Sequence, residues 1–393
     1  MSEHDRPGFL GYRRPDGRVG TRNHLLVVPT VICASVVAER IAAAVGPAGA
    51  ALPHLAGCGQ LGPDMRVTHD TLAAYCAHPN VGAVLVVALG CEQVVANVLA
   101  DVARQHRKPV AIVAIQSEGG TVRTIEAGTR IGLELSATIS TQEREWCDIA
   151  DLVLSLKCGG SDYTSGLASN PALGRVTDRL VAAGGSAVLG EIAEIMGAEH
   201  LLAARATRPA TAAQLIQVIT RVETETRALG LDIRGTQPSP GNIRGGLTTI
   251  EEKSLGATHK GGEHAPLEDV VAYAAPIRRK GLTVMDTPGL DVEAVTGMVG
   301  GGAQVVVFTT GLGTPTGNPI APVIKVTGNA RTAQHLADNI DVDVSGIMDD
   351  SETLASAADR LFLEILAVAS GRPTATETLG HREFAIHRRN PTI

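Results

Sequence analysis

Gly82-Ala83-Val84-Leu85-Val86-Val87-Ala88-Leu89 is an apolar run that stops at Gly90-Cys91-Glu92. Such a run, closed by a turn, predicts a strand buried on both faces. A helix is expected from about Glu92 to Gln105, then a strand over 109–115. Upstream, residues 24–29 (HLLVVP) read as a short buried strand, and Ala34 to Val45 is apolar at helical spacing. Strand and helix alternating in this way predict βαβ units, which are parallel and right-handed. Residues 1–145 are therefore expected to form one α/β domain.

Past the polar stretch Glu143-Arg144-Glu145-Trp146 the alternation resumes. Strands are predicted over 151–156, 187–189, 282–286 and 304–309. Helices are predicted over 170–183, 212–229 and 354–369, the first opened by Asn170-Pro171 as cap and first turn. The expected architecture is α/β, with a second α/β domain over 148–393. The glycine-rich segment from Pro238 to Gly262 shows little strand pattern and reads as a long irregular loop, and such loops are usually functional or disordered. The polar tail from Gly371 to Ile393 is expected to wrap the surface.

A chain of 393 residues suggests two domains. Only 2% of residues are aromatic while 44 are glycine, so the core must be aliphatic and turns abundant. The net charge of -7, with no basic tract, argues against nucleic acid as a partner. No segment approaches the ~20 apolar residues that span a bilayer. The first seven residues lack an apolar signal core. A cytoplasmic location is expected, where thiols stay reduced. No G-x-G-x-x-G follows the first strand, which argues against a dinucleotide site.

Three cysteines sit in glycine-flanked turns: Gly57-Cys58-Gly59, Gly90-Cys91-Glu92 and Lys157-Cys158-Gly159-Gly160. Cys91 ends a predicted strand, where open α/β sheets place ligands. Three soft thiolates could hold iron, as one ion or as a cluster. The competing reading is that buried cysteine packs as a small hydrophobe, which suits Cys33, Cys76 and Cys147. An oxygen and nitrogen set, His54, Glu92 and Asp162, is an alternative metal site. Lys157-Cys158-Gly159-Gly160-Ser161-Asp162 lies between a strand and a helix, so it belongs either to a ligand edge or to a plain loop. Residues 239–253 place Asn242, Arg244, Gly245 and Gly246 before a capped helix, a geometry that suits an anion. The loop 309–318, which contains Thr310, also follows a strand. Arg18-Val19-Gly20-Thr21-Arg22-Asn23 is either a carboxylate clamp or a solvated turn.

In sequence order, further motifs make the pattern specific. Gly11-Tyr12-Arg13-Arg14-Pro15-Asp16-Gly17-Arg18-Val19-Gly20-Thr21-Arg22-Asn23 resembles the opening of the large catalytic part of the altronate and galactarate dehydratases. So do Leu89-Gly90-Cys91-Glu92, Cys158-Gly159-Gly160-Ser161-Asp162, Asn170-Pro171-Ala172-Leu173-Gly174 and Gly197-Ala198-Glu199-His200. Ser239-Pro240-Gly241-Asn242, Glu252-Lys253-Ser254-Leu255-Gly256 and Met285-Asp286-Thr287-Pro288-Gly289 extend the resemblance over nearly the whole chain. The chain departs from the pattern at Arg244, where a small residue is usual, and over Thr314–Asn318.

The resemblance implies an iron-dependent hydro-lyase that converts a sugar acid, altronate- or galactarate-like, to a 2-keto-3-deoxy acid. It implies a C-terminal Rossmann-like catalytic domain and a dimerising first domain, hence a homodimer. It also implies a separate small β-clip subunit as partner. The related sulfolactate sulfo-lyase eliminates sulfite instead, and a binding or assembly subunit inactive without its partner is a further alternative. For such a reaction Cys58, Cys91 and Cys158 are the expected iron ligands, as a three-cysteine [4Fe-4S] cluster or mononuclear Fe2+. Arg22, Asn23, Ser161, Asn242, Arg244, Gly245, Gly246 and Thr310 are the expected substrate contacts. The base would come from Lys157, Asp162, Lys253 or His259, and a buried lysine of depressed pKa suits the task.

Overall fold

The computed structural model describes residues 7–393. Its strands in chain order are β1 (Gly8–Arg13), β2 (Val19–Gly20), β3 (His24–Pro29), β4 (Gly49–Ala51), β5 (Val81–Ala88), β6 (Val110–Ala114) and β7 (Glu145–Asp148). They continue as β8 (Val153–Cys158), β9 (Ser186–Leu189), β10 (Leu267–Val271), β11 (Gly281–Met285), β12 (Val305–Thr309), β13 (Val323–Thr327) and β14 (Val342–Asp343). One four-stranded parallel sheet has the order β4-β3-β5-β6, and one seven-stranded parallel sheet has the order β10-β11-β9-β8-β12-β13-β14. The expected pair of α/β units is present. Every residue of β5 is buried, as its unbroken apolar run requires.

Several elements escape the sequence pattern. β4 has three residues and carries no periodicity of its own. β2, β1 and β7 form a small antiparallel sheet in which β1 pairs with a strand more than 130 residues away, from Gly8 against Asp148 to Gly11 against Glu145. The helix expected at Glu92 starts at Ala96. The Glu92 carboxylate instead accepts the N–H groups of Leu89 and Gly90 and the Thr30 hydroxyl, which fixes a turn. The segment expected to be irregular, 238–262, holds two helices, Pro240–Arg244 and Ile250–His259, capped by Ser239 and Thr249. Serine and threonine accept the otherwise unpaired first-turn N–H groups, so a glycine-rich stretch still forms helix.

The two sheets share an apolar core. Leu26, Val28, Leu72 and Tyr75 from the first unit cluster with Val306, Phe308 and Val323 from the second. Phe384 of the tail packs edge-on against Tyr75, with ring centroids 5.0 Å apart. The tail is therefore a structural strap, and its last residue donates from N to Gly59 O at 2.8 Å. No helix among the described residues is long and apolar enough to cross a membrane.

Arg22 fastens this strap. Its five N–H donors go to both oxygens of Glu377 and to the carbonyls of Thr21, Val368 and Arg372. No donor is left for a substrate, so Arg22 is an anchor rather than a carboxylate clamp. Burial alone would raise the Glu377 pKa, but Arg22 outweighs it and holds the carboxyl below its ordinary range. Arg22→Ala is expected to cost on the order of 3 kcal/mol at neutral pH. Because the folded pKa of Glu377 is depressed, the pair stabilises above the unfolded value and is lost as pH falls through the folded one. Denaturant midpoints of both proteins against pH should converge on the acid side.

Candidate functional site

In the seven-stranded sheet the chain leaves β8 for β9 on one side, while β12 lies on the other. That reversal opens a crevice at the carboxyl ends of β8 and β12, where open α/β sheets bind ligands. Three loops interlock there. Gly159 N donates to Thr309 O at 3.1 Å, and Leu312 N to Gly160 O at 2.8 Å. Asn242 Nδ2 donates to Ser161 O at 2.8 Å, and Tyr163 N to Gly245 O at 3.0 Å. The expected loops 157–162, 239–246 and 309–313 thus form one constellation.

Asp162 is its keystone. One carboxylate oxygen accepts from the Thr164 hydroxyl at 2.7 Å and Ser165 N at 3.0 Å, and the other from Asn329 Nδ2 at 2.8 Å. A Cβ on Gly311 would stand 2.1 Å from Asp162 Cγ, which requires the missing side chain. Gly311→Ala is expected to destabilise by about 1–3 kcal/mol through overpacking. Gly289→Ala, whose Cβ would meet nothing within 4 Å, serves as the control in the same denaturant titration.

Beneath the loops lies a chain of buried charge. Lys157, Glu191 and Lys260 have side chains at most 1% exposed. Lys157 Nζ contacts Glu191, reaches Asp291 at 2.9 Å and donates to Cys158 O at 3.0 Å. Lys260 Nζ lies 3.1 Å from the other Glu191 oxygen, which also accepts Cys158 N at 3.3 Å. Burial alone would lower the pKa of Lys157, but Glu191 and Asp291 overcome it and raise it. Burial and Glu191 act on Lys260 in the same way, again with a net rise. Burial opposes ionisation of Glu191, yet both lysines hold its carboxyl below the ordinary range. Lys157 is thus held towards the ammonium form by its carboxylate partners, the opposite of the depressed pKa that suits a lysine base.

Glu194 and Lys253 face the crevice. They line a small cavity with Cys158, Ser161 and Asp162. Lys253 Nζ is 3.3 Å from Glu194, and it donates to Gln237 Oε1 at 2.9 Å and to Asn242 Oδ1 at 3.2 Å. The other Glu194 oxygen is buried without a hydrogen-bond partner. Burial, reinforced by Glu191, pushes the Glu194 carboxyl above its usual range. Sequence reasoning missed both glutamates. The signal was their place just after the β9 run Ala187-Val188-Leu189, at the sheet's carboxyl edge.

Other expected residues lie elsewhere. Cys58 and Cys91 are exposed on adjoining loops of the four-stranded sheet, joined where Gln93 N donates to Gly57 O at 3.2 Å. Cys158 is buried in the other sheet, its Sγ 2.8 Å from the Ser161 hydroxyl. Among the described residues no three His, Cys, Asp or Glu side chains converge to hold a metal ion. Cys58 and Cys91 sit at the four-stranded sheet and Cys158 at the seven-stranded one, and the three do not form such a group among the described residues. The alternative set does not fit either. His54 uses both ring nitrogens, on Pro29 O and Ala56 N, and the Glu92 oxygens are spent on the turn at Leu89–Gly90. Asn23 is occupied by Arg14 and Ile139 O. His259 faces a separate cleft of about 230 Å³. The Thr310 hydroxyl accepts Gly313 N at 2.9 Å and shapes its own loop. Arg244, Gly245, Gly246 and Asp162 line a cleft of about 650 Å³.

Residues 149–392 match the family model for D-galactarate/altronate dehydratase, C-terminal, and residues 11–140 match D-galactarate dehydratase/altronate hydrolase, second domain. The (2R)-sulfolactate sulfo-lyase subunit beta of Chromohalobacter salexigens is 39% identical over 97% of each chain. The altronate dehydratase of Bacillus subtilis is 36% identical over 98% of this chain and 78% of its own. The galactarate dehydratase (L-threo-forming) of Escherichia coli is 33% identical over 98% of this chain and 77% of its own.

Proposed function

The chain belongs to the D-galactarate/altronate dehydratase family, a family of lyases, and from that premise we propose that it eliminates water from a small polyhydroxy acid. The observation that carries this reading is the Glu194–Lys253 pair at the switch-point crevice, above a charge network that stays ionised. The proton next to a carboxylate is weakly acidic, so its removal needs a base of raised proton affinity and fixed positive charge nearby. Glu194 is the base. It accepts the substrate's C2 proton, and the C2–H electron pair becomes the new double bond as the C3–O bond breaks. The departing hydroxide takes that proton back from Glu194 and leaves as water, which restores the carboxylate, and the enol settles to a 2-keto-3-deoxy acid as C3 takes a proton from solvent. Lys253, oriented by Asn242, and the Ser161 hydroxyl face the same cavity and donate to the developing enediolate.

The 39%-identical relative is named a sulfo-lyase subunit, and loss of sulfite follows the same carbon chemistry with another leaving group. That name also supports assembly with another subunit, and a small partner chain is part of the proposal. A homodimer through the first domain belongs to the same proposal and is checked by light scattering with and without the partner. All six cysteines are unpaired, in keeping with a reducing cytoplasm. Iron is a separate proposal, and no step above passes through it. Iron and acid-labile sulfide per chain, on protein purified without oxygen, test it. About four irons with matching sulfide would mean a cluster. Neither, with activity intact, would remove iron from the account. Keto-acid release from altronate, galactarate and sulfolactate, with and without the partner, tests the lyase reading itself.

A further inference from the structure

The cleft of about 650 Å³ that shares Asp162 with the reacting residues carries a charge that elimination does not use. Arg244 projects from the end of the helix Pro240–Arg244, and Arg331 and His335 from the helix Ala330–His335. All three line this one cleft and all three are exposed. Their side chains make no hydrogen bond or ion pair with any described residue. Asp162, on the same cleft, makes no ion pair with them, and its oxygens accept from Thr164, Ser165 and Asn329 instead.

Two exposed guanidinium groups without a protein partner line one cleft and are free to receive an anion. A guanidinium presents a planar fork that matches a carboxylate in two parallel bonds. The inner cavity, at the Glu194–Lys253 end, is no larger than a water molecule, whereas the cleft that adjoins it at Asp162 can hold a six-carbon acid. An acid whose reacting end meets Glu194 and Lys253 would lie in the larger cleft, past Asp162, with its remote end towards the arginines.

We propose that Arg244 and Arg331 are specificity-determining residues that select a dicarboxylic hydroxy acid, gripping the carboxylate remote from the eliminating carbon. This deepens the elimination reading and rests on it for the placement of the first carboxylate. A second carboxylate on a linear polyhydroxy chain meets the arginines, whereas a terminal hydroxyl at that end leaves both guanidinium groups unpaired. His335 adds a donor on the same wall.

The test is a binding measurement that needs no turnover. Calorimetric titration of the full chain with adipate and with 6-hydroxyhexanoate compares a diacid and a monoacid that cannot eliminate. The expected result is adipate binding at least about tenfold tighter, one strong charge-assisted contact. Arg244→Ala and Arg331→Ala should each abolish most of that preference, and Arg331→Lys should keep part of it. Both side chains are exposed and unpartnered, so these variants should keep the wild-type circular dichroism. Equal affinity for the two acids in the wild type, or a preference surviving in the double Arg→Ala variant, overturns the proposal. So does failure to bind adipate at all. Turnover separates this from the lyase reading. Diacid preference without keto-acid release sinks the elimination alone. Release from altronate at a rate equal to or above that from galactarate, with no diacid preference, sinks the arginine assignment alone.

Discussion

Replacing Glu194 by glutamine is expected to lower turnover by about 10²–10⁴-fold, the usual contribution of a positioned general base. Glutamine keeps the shape of the side chain and the contact with Lys253 at 3.3 Å, but it cannot take a proton. Substrate affinity should change far less, because Glu194 meets substrate mainly through the proton in flight. Burial and the neighbouring Glu191 raise the Glu194 pKa, so the free enzyme should gain activity as pH rises through that raised value. A kcat/KM profile against pH measures this directly. In Glu194→Gln the acid limb should disappear. An acid limb unchanged in the variant would assign the base elsewhere.

Glu191→Gln is expected to destabilise the fold by roughly 3–5 kcal/mol, because it removes one member of a fully buried ionic group and strands the rest. Lys157 would keep Asp291, while Lys260 would lose its carboxylate partner. The pH window follows from the directions of the shifts. Glu191 is depressed, so its contribution is present above the unfolded value and fades as pH falls through the folded one. Lys157 and Lys260 are raised, so theirs persists up to the ordinary lysine range and is lost as pH rises through their folded values. The deficit should therefore be largest on a plateau around neutrality, read from denaturant midpoints at several pH values. The double variant Glu191→Gln/Lys260→Met should recover part of the loss, because it removes the stranded ammonium along with its partner. A loss under 1 kcal/mol would mean that the network is hydrated and not a buried ionic group.

The parallel sheets were legible because β5 and β12 are unbroken apolar runs between turns, and only burial on both faces permits that. The small antiparallel sheet was not, because Gly8–Arg13 pairs with residues more than 130 positions away and neither strand shows a period of its own. The loops of the site were legible at Cys158–Asp162 and Ser239–Gly246, where glycine density follows strand ends or precedes a cap. What the residues around them do was less legible. Arg22 and Lys157 look like functional cations in the chain, yet three-dimensional partners occupy both. Glu191 and Glu194 sit in an ordinary-looking stretch, and only the fold sets them against Lys157 and Lys253. Cysteine spacing carried no information on which sheet each thiol would join.

The most direct measurement is product formation from galactarate and from altronate in D2O, by the full chain together with its partner, comparing wild type with Glu194→Gln by NMR. The account predicts a 2-keto-3-deoxy acid carrying one solvent deuterium at C3 in the wild type. It predicts a rate lower by at least about 10²-fold in the variant. Undiminished product from Glu194→Gln would contradict the assignment of the crevice as the eliminating site, and no keto acid from the wild type would contradict the elimination itself.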